Sequence, residues 1–335
     1  AVTTGKCNVA MGTNALGAAT TGCNNIGIGQ LAMGTGVVTG FNNVSMGINA
    51  MSALTAGTNN VAIGPSTGAA QTTGKCNVAI GLNAYATTDT GCLNIAIGTT
   101  TMGSTNVTGI NNIAMGTTAM DALTTGICNI AIGTNALGAS TTGCRNVAIG
   151  ELAIGTGVTT STYNVAIGFE PAKSLTTGEK NVALGQCALK TSTTGCLNVA
   201  IGSAAMGGAD TTGQKNVAIG TTSADALTSG QYNVAIGTNA YGAAATGSQN
   251  VAIGTVALGG ALTTGANNIA IGENTADALT SGACNIALGI DALGAATIGL
   301  KNIAIGQGAM SGVTTGQADT NIGIGWNALA GHSTM

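Results

Sequence analysis

The sequence contains very few charged and aromatic residues. Charged residues make up 6% of its 335 residues, aromatic residues make up 2%, and the net charge is −3. So few basic residues exclude the positive surface with which proteins hold nucleic acid, and we expect no nucleic-acid partner. Intrinsic disorder is also excluded, because 44% of the residues are hydrophobic and supply enough apolar surface for folding.

Long apolar runs and histidine are scarce as well. No stretch of 18 apolar residues occurs, because glycine, with 56 residues, interrupts every apolar segment, so we expect no membrane insertion. His332 is the single histidine, and the sequence offers no convergent Ser-His-Asp or metal-ligand set. The turns carry Thr-Thr-Gly where calcium-binding β-rolls place aspartate. We therefore expect a protein that is not an enzyme, with no catalytic residue, metal or cofactor.

The sequence is rich in one repeated motif, Asn-(Val/Ile)-Ala-(Ile/Met/Leu)-Gly. Its 19 copies follow one another at spacings of 17 or 18 residues, with one final spacing of 19. From Asn60 onward the spacings run 17, 17, 18, which gives a superperiod of 52 residues. A fixed period of this length is typical of solenoid folds. The motif asparagines are Asn8, Asn25, Asn43, Asn60, Asn77, Asn94, Asn112, Asn129, Asn146, Asn164, Asn181, Asn198, Asn216, Asn233, Asn250, Asn268, Asn285, Asn302 and Asn321.

Each copy of the motif predicts a short β-strand. β-Branched residues alternate with small ones between turn formers, and the density of glycine excludes helix. The sequence therefore predicts an all-β, tandem-repeat β-solenoid, a β-roll or β-helix, of 19 rungs of 17–18 residues. We expect one continuous fibre domain over residues 1–335 without recognisable caps. A second apolar pair in each rung, such as Ala136-Leu137, predicts the opposing strand of a flattened roll.

Alternation within the strand predicts two faces. We expect the first and third residues, such as Val251 and Ile253, to point into the core, and the middle residue, such as Ala252, to point outward. The middle residue is alanine in 16 of the 19 strands. Because a solvated strand face normally carries polar residues, this Ala/Gly face is expected to be dry and packed against another subunit or layer. The asparagines that open the strands are expected to stack into an amide ladder.

Cysteines recur at two adjacent slots before the motif asparagine. Three pairs fall on consecutive rungs, where their Cα atoms are expected about 5–6 Å apart, within disulfide range. The alternative is that cysteine only fills a small apolar corner, and both interpretations stay open. The candidate disulfides are Cys7–Cys23, Cys76–Cys92 and Cys128–Cys144, whereas Cys187, Cys196 and Cys284 lack such a partner.

The same two slots vary more than the rest of the repeat. Variation in a regular repeat indicates solvent exposure, and exposed aromatic and basic side chains are suited to binding glycans or cell surfaces. A solvated edge without a ligand is the plainer alternative. The candidate contact column consists of Phe41, Arg145, Tyr163, Lys180, Lys215 and Tyr232.

The fuller pattern, Thr-Thr-Gly-x-x-Asn-Val-Ala-Ile-Gly-x-x-Ala-Leu, is followed closely by residues 124–137. It resembles the head repeats of trimeric autotransporter adhesins and the repeats of phage tail fibres, and the resemblance covers the whole chain. It implies an extracellular or virion-borne, structural or adhesive fibre that associates with itself, as a homotrimer or as an end-to-end filament. A receptor-binding tail fibre, with a cell-surface or glycan ligand, and an ice-binding solenoid are the alternative functions.

Overall fold

The computed structural model describes residues 4–312 and 319–331. Within these ranges the chain is all-β and no residue is helical. Accordingly, no described segment is a helix long and apolar enough to cross a membrane. The single histidine, His332, lies outside the described residues.

Nineteen strands of three residues each are formed by the described residues, one at every copy of the motif. They are β1 (Val9–Met11), β2 (Ile26–Ile28), β3 (Val44–Met46), β4 (Val61–Ile63), β5 (Val78–Ile80), β6 (Ile95–Ile97), β7 (Ile113–Met115), β8 (Ile130–Ile132), β9 (Val147–Ile149), β10 (Val165–Ile167), β11 (Val182–Leu184), β12 (Val199–Ile201), β13 (Val217–Ile219), β14 (Val234–Ile236), β15 (Val251–Ile253), β16 (Ile269–Ile271), β17 (Ile286–Leu288), β18 (Ile303–Ile305) and β19 (Ile322–Ile324).

The chain divides into two compact units, Ala1–Ile167 with β1–β10 and Gly168–Met335 with β11–β19. Within each unit, consecutive strands pair in parallel with equivalent residues side by side, as Ala62 lies beside Ala79. One strand per rung and a period of about 17 residues confirm the predicted β-solenoid. The expectation of one continuous domain over residues 1–335 stays a prediction.

The predicted orientation of the strands is wrong. In β4 the middle residue, Ala62, is 1% exposed, whereas Ile63 is 38% exposed, and the other strands that have neighbours on both sides repeat this pattern. The reason is the narrow interior. A Cβ at Gly27 would already lie 3.2 Å from Leu16 Cγ, so only residues of about the size of alanine fit there. Alanine therefore lines the core, and the branched side chains face outward.

The second apolar pair is buried as expected but does not form a strand. Leu137 is fully buried, yet its φ is 49°, in the left-handed region that strands do not use. Successive turns therefore close the rung opposite the alanine column. Their core residues complement one another in volume, since buried Ala172 is accompanied by Leu175, whereas buried Leu189 is accompanied by Ser192.

The asparagines form the amide ladder that the sequence predicts. Asn60 Nδ2 donates to Asn43 Oδ1 at 3.0 Å and to the carbonyl of Gly74 at 2.8 Å. Asn60 Oδ1 accepts the backbone N–H of Asn77 at 3.0 Å. The Asn60 side chain is buried, so these bonds satisfy an amide that would otherwise be costly to bury.

The glycine that closes each motif has a positive φ, and where a further rung follows, as at Gly64, the space also requires it. Gly64 has a φ of 132°, and a Cβ there would lie 2.6 Å from the carbonyl oxygen of Gly81 on the next rung. Neighbouring rungs thus touch backbone to backbone at this corner, and only glycine is compatible with the approach.

Candidate assembly surface

The outward side chains of the strands form a continuous apolar surface within each unit. We define the apolar face as the first and third residues of every strand, all of which are Val, Ile, Met or Leu. Each of these side chains is half-buried or exposed, and Ile132 and Ile219 in β8 and β13 are both 37% exposed. No polar or charged residue interrupts either column, so the strands present only apolar side chains to water.

The apolar face is large for an exposed hydrophobic patch. In the unit with ten strands, nine steps of about 4.8 Å make it about 43 Å long, with its two columns about 7 Å apart. Allowing for side-chain width, the patch covers on the order of 500 Å², similar to the largest patches on soluble monomers, which often mark interaction sites.

The two borders of the apolar face carry opposite charge. One or two positions before the motif asparagine, the positive border has six basic residues against two acidic ones. Five or six positions after it, the negative border has four acidic residues and no basic one. The positive border contains Lys6, Lys75, Arg145, Lys180, Lys215 and Lys301, with Glu179 and Asp319, and the negative border contains Glu151, Glu170, Glu273 and Asp291.

The six residues of the predicted contact column are all exposed. Two basic residues, however, lie against tyrosines of the next rung. Arg145 Nη1 donates to Tyr163 Oη at 2.9 Å with its guanidinium 5.3 Å from the ring centroid. Lys215 Nζ lies 4.8 Å from the Tyr232 ring centroid and donates to its hydroxyl at 3.0 Å. Each cation covers ring surface that a sugar would stack on. The glycan contact stays a prediction.

The nine cysteines are free thiols in the structure. In the candidate pairs, Cys7, Cys76 and Cys128 are exposed, and their partners Cys23, Cys92 and Cys144 are half-exposed.

The first pair illustrates the local geometry of the thiols. Cys23 Sγ donates to the carbonyl of Thr21 and accepts the backbone N–H of Lys6, both at 3.4 Å. Its sulfur therefore lies against the rung that holds Cys7, beside the peptide group that precedes Lys6. Disulfide formation stays a prediction for all three pairs.

One ionic cluster lies in the turns of the second unit. Glu170 accepts Lys173 Nζ at 2.6 Å and forms an ion pair with Lys190 Nζ at 2.7 Å. These hydrogen bonds hold the pKa of the Glu170 carboxyl below its usual range and raise the pKa of Lys190. The lysines neutralise this part of the negative border. The sequence does indicate this cluster, because Lys173 and Lys190 are the two basic residues outside the positive border.

Two buried tyrosines were not identified from the sequence. Tyr85 and Tyr241 occupy the leucine slot of the second apolar pair, and their hydroxyls accept Asn94 Nδ2 at 2.7 Å and Asn250 Nδ2 at 2.8 Å. Burial raises the pKa of both phenols. The hydroxyls join the asparagine ladder, so these residues stabilise the core and are closed to ligands.

The described residues hold no group of three or more His, Cys, Asp or Glu side chains arranged to bind a metal ion. No protein-family profile matches the chain. A comparison with curated proteins likewise finds no match.

Proposed function

We propose that this protein is a structural fibre element whose copies associate side by side through the apolar face. The observation that carries the proposal is the unbroken apolar surface of the strands, which is exposed in an isolated chain. Hydrophobic burial contributes about 25 cal/mol per Å², so covering such a surface is a strong drive to association. The Ala/Gly face expected from the sequence cannot serve this purpose, because it lines the core.

A second copy of the chain is the partner that fits this face best. The outward residues repeat once per rung, at about 4.8 Å, and a partner with the same repeat meets every rung in the same way. The charged borders also favour one relative orientation of the two copies. Copies that run in parallel, related by rotation about the stacking direction, place the positive border of one beside the negative border of the other. Antiparallel copies place like charges together, which is unfavourable.

The fibre role also agrees with how the rungs are held together. Each rung donates backbone hydrogen bonds to its neighbour, and the asparagine ladder continues inside the core. Breaking one rung exposes buried amides, so the stack resists local opening and proteolysis. We propose an extracellular or virion-borne setting for such a fibre, and a homotrimer as its form, on the resemblance of the repeat. An end-to-end filament is the alternative assembly.

Ice binding receives less support from the threonines. In the Thr-Thr-Gly turns the first threonine is half-buried or buried, and Thr124 Oγ1 donates to the carbonyl of Thr141 on the next rung at 3.0 Å. The second threonine, such as Thr125, is exposed. The Thr-Thr-Gly turns therefore present one exposed threonine in each rung and not a pair.

The experiment is a charge placed on the apolar face. We expect the double variant Ile132→Lys/Ile219→Lys to fold and remain monomeric, because the two charges lie on the solenoid surface but within the proposed interface. Light scattering coupled to size-exclusion chromatography measures the mass. The matched control is Thr142→Lys, at an exposed turn residue away from the face, which is expected to associate like the unmodified protein. A monomeric unmodified protein, or a double variant that still associates, contradicts the proposal.

A further inference from the structure

The methionines of the described residues fall into two groups. Six are fully buried in the core, and the remaining three are exposed, with exposed fractions of 61%, 38% and 39%. The exposed three are Met11, Met46 and Met115. All three are the third residues of their strands, β1, β3 and β7, and all three lie in the first unit. The apolar face therefore carries every exposed methionine of the described chain.

Methionine stands here in place of a residue that peroxide does not oxidise. The third strand position is isoleucine in 14 of the 19 strands and leucine in two. Isoleucine and methionine supply similar hydrocarbon, so methionine adds nothing that the face needs for packing. It adds a thioether, which peroxides convert to a sulfoxide.

We propose that Met11, Met46 and Met115 are peroxide-modification sites that switch the apolar face of the first unit from apolar to polar. The inference rests on the proposed function, since the switch acts on self-association. In each event the thioether sulfur attacks the peroxide, the O–O bond breaks, and the sulfur takes one oxygen. The other oxygen of hydrogen peroxide is released as water, so the sulfur loses two electrons and the peroxide gains them.

The consequence follows from what the interface must exclude. A sulfoxide is a strong hydrogen-bond acceptor, and the apolar face offers it no donor. Burying it against a second copy costs the hydration that it has in the free chain. We expect each buried sulfoxide to weaken association by about tenfold or more. Once the copies have associated, the same three sulfurs are covered and protected.

The test is treatment with dilute hydrogen peroxide, followed by peptide mass spectrometry and light scattering. In dissociated chains we expect one added oxygen at each of the three exposed methionines, and none at the buried Met33, Met51, Met102, Met120, Met206 and Met310. In associated chains the three are expected to resist oxidation. Chains oxidised before association are expected to stay dissociated until methionine sulfoxide reductases, supplied with a dithiol that becomes a disulfide, release the oxygen as water.

A matched variant separates methionine from cysteine oxidation. Met11→Ile/Met46→Ile/Met115→Ile restores the residue that most strands carry and keeps all nine cysteines. It is expected to associate like the unmodified protein and to lose peroxide sensitivity. Normal association of fully oxidised chains, or sensitivity retained by the isoleucine variant, overturns the inference but leaves the proposed function intact. Unmodified, untreated chains that never associate overturn both.

Discussion

Ala200 and Ile201 are adjacent in β12, yet Ala200 is fully buried in the solenoid and Ile201 lies half-exposed on its surface. A charged side chain is therefore expected to impair folding at Ala200 and self-association at Ile201. Ala200→Lys buries an unpaired ammonium in a space that holds one methyl group, and is expected to destabilise its rung by about 3–5 kcal/mol. Ile201→Asp is expected to keep the fold and to weaken association only.

Limited proteolysis and circular dichroism measure the fold, and light scattering measures association. A folded Ala200→Lys variant, or an Ile201→Asp variant that unfolds, contradicts the orientation of the strand.

The asparagine ladder gives a pH-dependent prediction at Asn129. Its Nδ2 donates to Asn112 Oδ1 at 3.0 Å and to the carbonyl of Gly143 at 2.7 Å, and its Oδ1 accepts the backbone N–H of Asn146 at 3.0 Å. Asn129→Ala leaves these groups unsatisfied and is expected to cost about 1–3 kcal/mol for each buried group.

Asn129→Asp is nearly isosteric, but its carboxylate cannot donate to either acceptor. One carboxylate oxygen keeps the N–H of Asn146 as a donor, but burial and the two acceptors that face the other oxygen raise the pKa of this carboxyl in the folded state. The variant is therefore expected to be most stable below the ordinary aspartate pKa and to lose stability as pH rises through the folded value. Thermal denaturation at several pH values measures this. A melting temperature that does not fall with rising pH contradicts the buried ladder.

Asp225 offers a stabilising substitution. Burial raises the pKa of its carboxyl, and Oδ1 finds no hydrogen-bond donor among the described residues. The equivalent carboxyl, Asp121, accepts the Ser104 hydroxyl at 2.8 Å, whereas glycine occupies the matching position, Gly208, beside Asp225. A Cβ at Gly208 would lie 2.5 Å from Asp225 Oδ2, so the carboxylate has to turn aside, as the Asp121 carboxylate does beside Ser104. In that arrangement Gly208→Ser is expected to supply the missing donor.

Because the folded pKa of Asp225 is raised, its ionisation destabilises the fold as pH rises above the ordinary aspartate value. Gly208→Ser is expected to lower that pKa and to add about 1 kcal/mol near neutral pH, with little gain in acid. Ser104→Gly is the reciprocal control and is expected to destabilise. Equal melting temperatures of Gly208→Ser and the unmodified protein at neutral pH contradict the prediction.

The cysteine pairs give a redox prediction. If oxidised glutathione exchanges with them, Cys7–Cys23, Cys76–Cys92 and Cys128–Cys144 are expected to form disulfides, each closing a loop of about 16 residues and adding about 3 kcal/mol. Peptide mapping without reduction detects them.

The matched variant is Lys180→Cys, because the Glu179 N–H donates to Cys196 Sγ at 3.3 Å, as the Lys6 N–H does to Cys23 Sγ. It is expected to form a fourth bridge in the second unit. If all six cysteines of the three candidate pairs remain free thiols after oxidation of the unmodified protein, the pairing is refuted.

The repeat predicts the fold well, because a period of 17 or 18 residues with glycine at fixed positions is compatible with little else. Alternation along Val251, Ala252 and Ile253 also predicts correctly that neighbours point to opposite faces. It does not predict which face is inside, since the preference of large apolar residues for the core favours the wrong answer. The width of the interior decides this, and that width depends on the turns opposite the strand.

Those turns were themselves hard to predict. Leucine and methionine rarely adopt positive φ, yet Leu137 and Met120 do so in successive rungs. Their burial and the hydrogen bonds from rung to rung hold this conformation, and neither is visible in local sequence preferences. Because of this error, the sequence predicted the alanines as the outer face, whereas the structure exposes the first and third residues of the same strands.

Photo-crosslinking from the apolar face tests the central claim most directly. A photoreactive phenylalanine analogue replaces Ile236, a surface residue of β14, in a mixture of chains with natural and heavy nitrogen. If the face is covered by a second, parallel copy, mass spectrometry is expected to find crosslinks between chains, mainly to the same or adjacent rungs. Crosslinks confined to one chain, or spread over the other residues of the surface, contradict the account.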